Sequence, residues 1–221
     1  MKREVIITAD GSTTIHLPEL NEQYHSKHGA IQEAYHVFIK NGLEQFKEKL
    51  TISILEMGFG TGLNCFITFL EAQKLNLMIN YVGIEAFPVK EKEIKQLNYV
   101  EALNAKNESD VFCKFHTLKW NAKHKVSESF SLEKREQFFE EIDNINQFDL
   151  IYFDVFGARV QPELWTEVIF KKMFEALNLN GILVTYAAKG SARRAMQQVG
   201  FTVEKLAGPP GKREMLRAKK I

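Results

Sequence analysis

The sequence predicts an α/β fold built on a doubly wound, mostly parallel β-sheet. Apolar segments typical of strands alternate with segments of helical periodicity along most of the 221 residues. A glycine-rich turn joins one of these strands, at 52–57, to the helix that follows it. The last two strands are separated by Gly208-Pro209-Pro210-Gly211, which is too short for a crossover helix and predicts an antiparallel hairpin.

The elements are assigned in order along the chain. An N-terminal hairpin is predicted where Val5–Ala9 and Thr13–Leu17 flank Asp10-Gly11-Ser12. Strands of the main sheet are predicted near 52–57, 81–86, 112–118, 148–154, 182–187, 201–206 and 213–218. Helices are predicted near 31–49, 62–75, 89–104, 162–177 and 191–199. Seven strands that end in a hairpin are the usual order of the class I methyltransferase (Rossmann-like) fold.

The length and the absence of a linker predict a single domain over 1–221. Within it, we expect 1–50 to form the N-terminal hairpin and helix extension and 51–221 to form the Rossmann-like core. Residues 121–147 are polar and rich in charge, which favours a partly helical surface insertion without chemistry of its own.

Composition indicates a globular protein that we expect in the cytoplasm. The net charge is +1, no apolar run reaches membrane length, and the N-terminus lacks the apolar core of a signal peptide, so no membrane partner is expected. Cys65 and Cys113 stand apart, without a C-x-x-C pair or nearby histidines. We therefore predict reduced thiols and no metal site.

Positive charge is concentrated near the C-terminus. Tyr186–Ile221 holds nine basic and two acidic residues, a formal charge of +7 that leaves −6 on the rest of the chain. Such segregation favours contact with phosphates, and we assign it to Arg193, Arg194, Lys212 and Arg213. The alternative is an ordinary solvated face, which we prefer for the last lysines of the chain.

The most informative motif is the strand, turn and helix that run from Ile52 to Asn64. Its glycines at 58, 60 and 62 follow G-x-G-x-G spacing, whereas a dinucleotide turn would need its third glycine where Leu63 stands. Glu56, two residues before the first glycine, would repel a pyrophosphate. A cationic ligand without phosphate suits the turn better, and S-adenosylmethionine carries an ammonium and a sulfonium. The alternative, a turn that merely ends a strand, is disfavoured by a second acidic strand end at Glu85.

Three further positions extend the predicted cofactor site. Glu85 ends an apolar strand 29 positions after Glu56, where its carboxylate can accept both hydroxyls of a ribose. Trp120 and Asn121 are placed to flank an adenine, although an ordinary loop explains them equally well.

Asp154 and Phe156 follow the fourth strand, at the position where amine methyltransferases place their acceptor. A primary amine needs a group that orients its lone pair and takes its proton, and it needs walls that exclude water. Asp154 can supply the first and Phe156 the second. Asp149 is assigned to strand entry, and no nucleophilic triad is apparent.

Several blocks spread over the chain resemble one known family, the methyltransferase domain of MnmC. The resembling blocks are Tyr24-His25-Ser26 with Gly29, His36–Ile39, Gly58–Asn64, Glu85–Pro88, Phe153–Phe156, Gln161–Thr166, Gly190–Gly200 and Lys212–Leu216. Val155, Gly157, Ala158 and the segment Gly208–Gly211 depart from the usual residues of the family, which bears on loop shape and RNA contact.

The resemblance implies methylation of 5-aminomethyl-(2-thio)uridine at the tRNA wobble position, with Asp154 and Phe156 at the acceptor amine. Motif and resemblance together assign the cofactor to Tyr24, Glu56, Gly58, Phe59, Gly60, Thr61, Gly62, Asn64, Glu85, Ala86, Asn121 and Asp154. The implied partners are the tRNA anticodon stem-loop and, functionally, the enzymes that install the aminomethyl group. Because the chain stops at Ile221, we expect the flavin-dependent oxidase domain of some members to be absent.

Two rival interpretations stay open at this stage. One is a transferase of the same fold that acts on another amine or small molecule, either a methyltransferase or an aminopropyl transferase, whose acidic substrate pocket would not explain the basic C-terminal segment. The other is a non-catalytic RNA-binding relative that has lost its cofactor, which the intact glycines, Glu85 and Asp154 argue against. Titration with S-adenosylmethionine separates the second rival from the enzyme.

Overall fold

A mixed β-sheet with helices on both faces forms the centre of the computed structural model, which describes residues 2–221. The strands are β1 Glu4–Ile7, β2 Thr13–Leu17, β3 Glu22–Gln23, β4 Thr51–Met57, β5 Met78–Glu85, β6 Ala122–Lys125, β7 Phe130–Glu136, β8 Phe148–Phe153, β9 Leu177–Thr185, β10 Thr202–Ala207 and β11 Glu214–Lys219. The α-helices are α1 Ala30–Ala34, α2 Leu63–Lys74, α3 Glu91–Ile94, α4 Tyr99–Ala102, α5 Ser109–Thr117, α6 Glu167–Ala176 and α7 Gly190–Gln198. A π-helix, Tyr35–Lys40, continues α1, and 3₁₀ turns cover Leu43–Phe46, Lys106–Glu108, Phe139–Glu141 and Pro162–Trp165.

The main sheet confirms the predicted fold class. Its strand order is β10-β11-β9-β8-β4-β5-β7-β6, and the five strands from β9 to β7 are parallel. The predicted C-terminal hairpin pairs β10 with β11 in antiparallel fashion. The predicted N-terminal hairpin is also present, as β1 and β2, and β3 extends it to a separate three-stranded sheet.

Side chains that alternate along the central strands fill two apolar cores. In β4, Ile54 packs on the face covered by α1, α2 and α5, whereas Leu55 packs on the face covered by α6 and α7. Tyr152 and Ile151 divide in the same way in β8. Because parallel strands are buried on both faces, these segments are apolar throughout, which is why the sequence located them correctly.

Two sequence predictions on one side of the sheet are wrong. The strand predicted at 112–118 is the helix α5, in which Phe112 and Phe115 face the core at the i, i+3 spacing of a helix. The supposed surface insertion at 121–147 instead contains β6 and β7, and β7 is a central strand paired in parallel with β5. The sheet therefore has eight strands rather than the expected seven, with β6 at its edge.

The polarity of β7 explains the second error. Phe130, Leu132 and Lys134 alternate towards the core, whereas the intervening face carries Glu133 and Arg135. Arg135 pairs with Glu133 at 2.7 Å and also donates to the Asn144 side chain, so these charges are satisfied on the surface of the sheet. The segment thus has the period of a half-buried strand despite its polar composition.

The helices predicted at 31–49 and 89–104 are both interrupted. The first changes from α to π geometry after Ala34, and the second divides into α3 and α4. Asn98, just before α4, accepts from the Thr13 backbone N–H at 2.9 Å and donates to the Gly11 carbonyl, which ties this connection to the N-terminal hairpin. No helix within residues 2–221 is long and apolar enough to span a membrane.

Candidate active site

A cavity of about 1020 Å³ opens at the carboxyl ends of the parallel strands. Gly58 and Gly60 enter it after β4, Glu85 at the end of β5, Glu136 at the end of β7 and Asp154 after β8. Parallel strands end at the same edge of a sheet, so residues far apart in sequence meet there. The N-terminal three-stranded sheet and the segment after it cover the opening, since Leu17, Leu20, Tyr24 and His25 also line the cavity.

The glycine turn needs its glycines for backbone reasons. Gly58 has φ +91°, and a Cβ atom there would lie 2.5 Å from the carbonyl oxygen of Asp154. Gly60 has φ +49°, and its Cβ atom would lie 3.1 Å from the ring of Tyr24. Gly62 has φ +73° and stands at the start of α2. Side chains are disfavoured at such φ values, so the G-x-G-x-G spacing is a property of this turn.

Glu85 is held by the backbone around it. One carboxylate oxygen accepts from the Gly60 N–H at 3.0 Å, and the other accepts from the Phe87 N–H at 2.9 Å. Each carboxylate oxygen has a further lone pair, so the side chain can still accept hydrogen bonds from hydroxyl groups of a ligand in the cavity. Ala86 lies beside it in the cavity wall.

Glu56 and Asn64 lie behind the cavity wall rather than in it. Glu56 is 1% exposed, and burial raises its pKa well above the ordinary range, which favours the neutral form of the carboxyl. The amide nitrogen of Asn64 donates to Glu56 at 2.9 Å and to Asp154 at 2.8 Å. Glu56 therefore reaches the site through Asn64, which differs from the expectation of a carboxylate facing a cationic ligand.

Asp154 lines the cavity with a side chain that is only 8% exposed. Burial and the neighbouring Glu33 raise the pKa of Asp154 to about 7, against the lowering effects of the Asn64 hydrogen bond and the Lys212 charge. The Nδ1 atom of His25 lies 3.8 Å from the Asp154 carboxylate. Burial lowers the pKa of His25 to about 4, so this imidazole is neutral at physiological pH. Asp154 is thus poised to exchange a proton near neutrality.

Aromatic side chains form the wall beside Asp154. Tyr24 and Phe156 both line the cavity and pack edge to face, with their ring centroids 5.3 Å apart. Burial raises the pKa of Tyr24 to about 12, so it remains a neutral phenol. Leu164 and Val155 extend this apolar surface. The wall can exclude water from a group held at Asp154.

Other predicted cofactor residues support the turn from behind and do not line the cavity. Phe59 points into the core, where its ring packs against Trp120 with centroids 6.0 Å apart. Thr61 is fully buried, and its hydroxyl pairs with His25 Nε2 at 2.8 Å and accepts from Tyr99 at 3.0 Å. A Cβ atom on Gly62 would meet the His116 ring at 3.2 Å.

The proposed adenine neighbours, Trp120 and Asn121, follow α5 rather than a strand. Neither lines the cavity. The side-chain oxygen of Asn121 already accepts from the Glu136 N–H at 3.0 Å, so Asn121 shapes the end of β7. Trp120 lies under the Lys134 ammonium, 4.7 Å from the ring centroid.

The cavity lining also contains residues that the sequence analysis did not assign to the site, among them Glu136, Phe87 and Phe138. Glu136 escaped because its strand was not recognised, although the alternation from Phe130 to Lys134 followed by an acid was a usable signal. Phe87 and Phe138 pack edge to face at 5.9 Å in the cavity wall while staying 63% and 54% exposed.

The four residues predicted to contact phosphates differ in their exposure and in whether they form an ion pair. The Lys212 ammonium forms an ion pair with Glu33 and lies 3.8 Å from the centroid of the Tyr186 ring, so Lys212 is not a free surface charge. Arg194 and Arg213 are exposed, Arg193 is half-buried, and none of these arginines forms an ion pair within residues 2–221. No cluster of three or more potential metal ligands occurs in the same range.

Comparison with known proteins places this geometry in a family. A family model described as S-adenosyl-L-methionine-dependent methyltransferase matches residues 105–221, more than half of the chain. The chain is similar to the tRNA 5-methylaminomethyl-2-thiouridine biosynthesis bifunctional protein MnmC of Idiomarina loihiensis, at 28% identity over 87% of this chain and 34% of the relative. The MnmC protein of Burkholderia thailandensis is 27% identical over 96% of this chain and 34% of its own. The chain thus spans about a third of the length of these relatives.

Solved structures agree with the sequence comparison. The crystal structure of MNMC2 from Aquifex aeolicus is similar with a TM-score of 0.76 and 26% identity, covering 98% of this chain and 70% of that one. Spermidine synthase from Thermotoga maritima has a TM-score of 0.55 at 15% identity, over 98% of this chain and 72% of that one, and shares the fold alone. The resemblance to the MnmC methyltransferase domain is confirmed, and the chain belongs to the family of S-adenosyl-L-methionine-dependent methyltransferases.

Proposed function

We propose that this protein methylates the primary amine of 5-aminomethyl-(2-thio)uridine at the wobble position of tRNA and produces the 5-methylaminomethyl base. The observation that carries the proposal is the position of Asp154, in the same cavity as Gly60 and Glu85 and beside an aromatic wall. The names of the relatives in Idiomarina loihiensis and Burkholderia thailandensis concern this same modified base.

The residues around the glycine turn fit S-adenosylmethionine. Gly58 and Gly60 leave open backbone where any Cβ atom would press on Asp154 or Tyr24, and Glu85 keeps lone pairs for ribose hydroxyls. Glu136, at the end of the next strand, is an additional polar group for the adenosine part. When bound, the cofactor would supply an electrophilic methyl group: the amine nitrogen would bond to the methyl carbon while the methyl–sulfur bond breaks and its electron pair stays on the departing thioether.

Asp154 has the properties that the acceptor amine requires. Its pKa of about 7 lets the carboxylate orient the amine and take the proton that methylation releases. Tyr24 and Phe156 keep water from the nitrogen, which preserves its lone pair for attack. Because the substrate already carries the aminomethyl group, enzymes that install this group act before the present reaction.

Arginines without ion-pair partners among residues 2–221 suggest how tRNA is held. The pKa of the Glu214 carboxyl is lowered, chiefly by its hydrogen bond to Lys205 and also by the nearby charges of Arg213 and Arg193. Helix α7, which carries Arg193, and the hairpin, which carries Arg213, therefore present their positive charge together. A positive surface of this kind binds backbone phosphates of an anticodon stem-loop. The wobble base would then be turned out of the loop into the cavity, as enzymes that modify bases require.

The test is single-turnover methylation of tRNA that bears aminomethyluridine. Asp154→Asn keeps the size of the side chain but cannot accept the proton, so we expect the rate to fall by on the order of a hundredfold or more. Asp149→Asn is the matched control, because Asp149 lies at the opposite end of strand β8 and bonds Lys49, the Ser53 N–H and Asn178 away from the cavity. A folded Asp154→Asn protein with the rate of the control would remove Asp154 from the mechanism.

Two further measurements address the rivals. If the wild-type protein methylates a free amine as rapidly as the tRNA, the substrate assignment is wrong while the methyltransferase chemistry stands. If calorimetry detects no binding of S-adenosylmethionine, the non-catalytic alternative replaces the enzyme.

A further inference from the structure

Lys212 connects the C-terminal hairpin to the acceptor end of the cavity. It belongs to the turn between β10 and β11, and its ammonium lies between the Glu33 carboxylate and the face of the Tyr186 ring. Glu33 is 6% exposed and the Lys212 side chain 31% exposed, so this ion pair is partly buried. The turn is fitted closely to the N-terminal segment, since a Cβ atom on Gly211 would lie 2.4 Å from the ring of His28.

Glu33 and Tyr186, the two partners of Lys212, are each hydrogen-bonded to a backbone segment that forms a wall of the acceptor pocket. The second carboxylate oxygen of Glu33 accepts from the Ser26 N–H at 2.9 Å, and Ser26 follows the cavity residue His25. The Tyr186 hydroxyl donates to the Val155 carbonyl at 2.8 Å, and Val155 follows Asp154. The ammonium therefore lies where the two walls are joined.

Lys212 is also the cation that acts on Asp154. The titratable groups facing Asp154 are Glu33 from α1, Glu56 from β4, His25, Tyr99 from α4, Tyr186 after β9, and Lys212. Burial raises the pKa values of Glu56, Tyr99 and Tyr186 and lowers that of His25 to about 4, so in each case it favours the neutral form. Glu33 and Lys212 form an ion pair, and the two act in opposite directions on the pKa of Asp154.

We propose that Lys212 is a positioning residue for methyl transfer, which joins Glu33 to Tyr186 across the two walls of the acceptor pocket and supplies a positive charge to the surroundings of Asp154. The inference deepens the proposed function and rests on it for the role of Asp154. It replaces the expected phosphate contact of Lys212 with a role inside the protein. Arg213, the exposed neighbour, is left as the phosphate contact of the same turn.

The ion pair itself can be tested without any substrate. NMR of protein labelled with ¹³C at the aspartate carboxyl carbons follows the titration of Asp154, and Asp154→Asn identifies its signal. Lys212→Met removes the cation and leaves Glu33 unpaired, so we expect the titration midpoint of Asp154 to rise by on the order of one pH unit, the usual effect of a neighbouring charge. Glu33→Gln removes the anion and should lower the midpoint.

The proposal predicts that the Asp154 midpoint shifts in opposite directions in the two variants. Simple disruption of the structure would shift it in the same direction in both. Lys212→Arg keeps the charge and should restore the wild-type midpoint. The matched control is Lys205→Met, which removes an exposed lysine paired with Glu214 on the same hairpin and should leave the midpoint unchanged. An unchanged or lowered midpoint in Lys212→Met, or an unchanged or raised one in Glu33→Gln, would overturn the proposal.

The same variants carry the inference to catalysis. In single-turnover methylation, the acidic limb of the pH–rate profile should move with the NMR midpoint, upward for Lys212→Met and downward for Glu33→Gln. If the wild-type protein does not methylate the tRNA but the midpoints move as expected, the proposed function fails and the ion-pair control of Asp154 stands. If the tRNA is methylated and the limb stays fixed in both variants, the proposal for Lys212 fails and the function stands.

Discussion

Replacing Gly58 by alanine tests whether the glycine turn sets the position of Asp154. Gly58 has φ +91°, and the new methyl group would lie 2.5 Å from the Asp154 carbonyl oxygen, whereas ordinary contacts begin at about 3.4 Å. The backbone of β8 must therefore move by roughly an ångström, or the turn must open. Either movement displaces Asp154 from the Asn64 amide that donates to it at 2.8 Å.

The expected cost has two parts. A residue with a Cβ atom at positive φ costs about 1–2 kcal/mol, and overpacking a close contact adds about 1–3 kcal/mol. We therefore expect Gly58→Ala to lower the free energy of unfolding by about 2–5 kcal/mol. Gly11→Ala is the matched control, because Gly11 has φ +83° and a methyl group added there would have nothing within 4 Å, so this variant bears the backbone cost alone.

Urea unfolding of both variants measures the stability difference, and calorimetry measures the affinity for S-adenosylmethionine. We expect Gly58→Ala to be the less stable variant and to lose most of its cofactor affinity, whereas Gly11→Ala keeps that affinity. Equal stability of the two variants together with unchanged cofactor affinity in Gly58→Ala would refute the reasoning.

Three further predictions concern charge. Burial raises the pKa of Asp154 from 3.8 to about 7, so the native state binds the extra proton between these values and loses stability as pH rises through them. Asp154→Asn should therefore gain stability over the wild type from pH 4 to pH 8, by up to about 4 kcal/mol, and a difference that is constant in urea unfolding across this range contradicts the shift. Glu85→Gln should weaken S-adenosylmethionine binding by about 10- to 100-fold in calorimetry, since a hydrogen bond to a charged group contributes about 1.5–3 kcal/mol, and unchanged affinity would remove Glu85 from the site. Arg193→Gln and Arg213→Gln should each lower the slope of log affinity for tRNA against log salt by about one unit or less, and equal slopes would place the tRNA surface elsewhere.

Local sequence was enough for the parts of the site that depend on backbone conformation and strand ends. The spacing of Gly58, Gly60 and Gly62 predicted a turn that needs positive φ, and all of these glycines have it. Glu85 and Asp154 were placed at carboxyl ends of parallel strands because buried apolar runs indicate those strands. The antiparallel ending followed from a connection too short for a helix.

Tertiary packing decided two features of the site that amino-acid composition does not indicate. The polar strand β7 is central because it can pair with β5, and with it Glu136 enters the site. No property of residues 31–49 indicated that Glu33 would lie beside Asp154.

The ionisation and pairing of charged side chains in the site also depend on burial. Glu56 was expected to face a ligand as a carboxylate, but it lies buried behind Asn64, and this burial raises the pKa of its carboxyl. Lys212 was grouped with the exposed arginines because sequence reports formal charge, whereas the structure pairs it with Glu33. Sequence identified the residues at the ends of the apolar strands, and only the fold decided which of them are desolvated, because desolvation depends on neighbours that are distant along the chain.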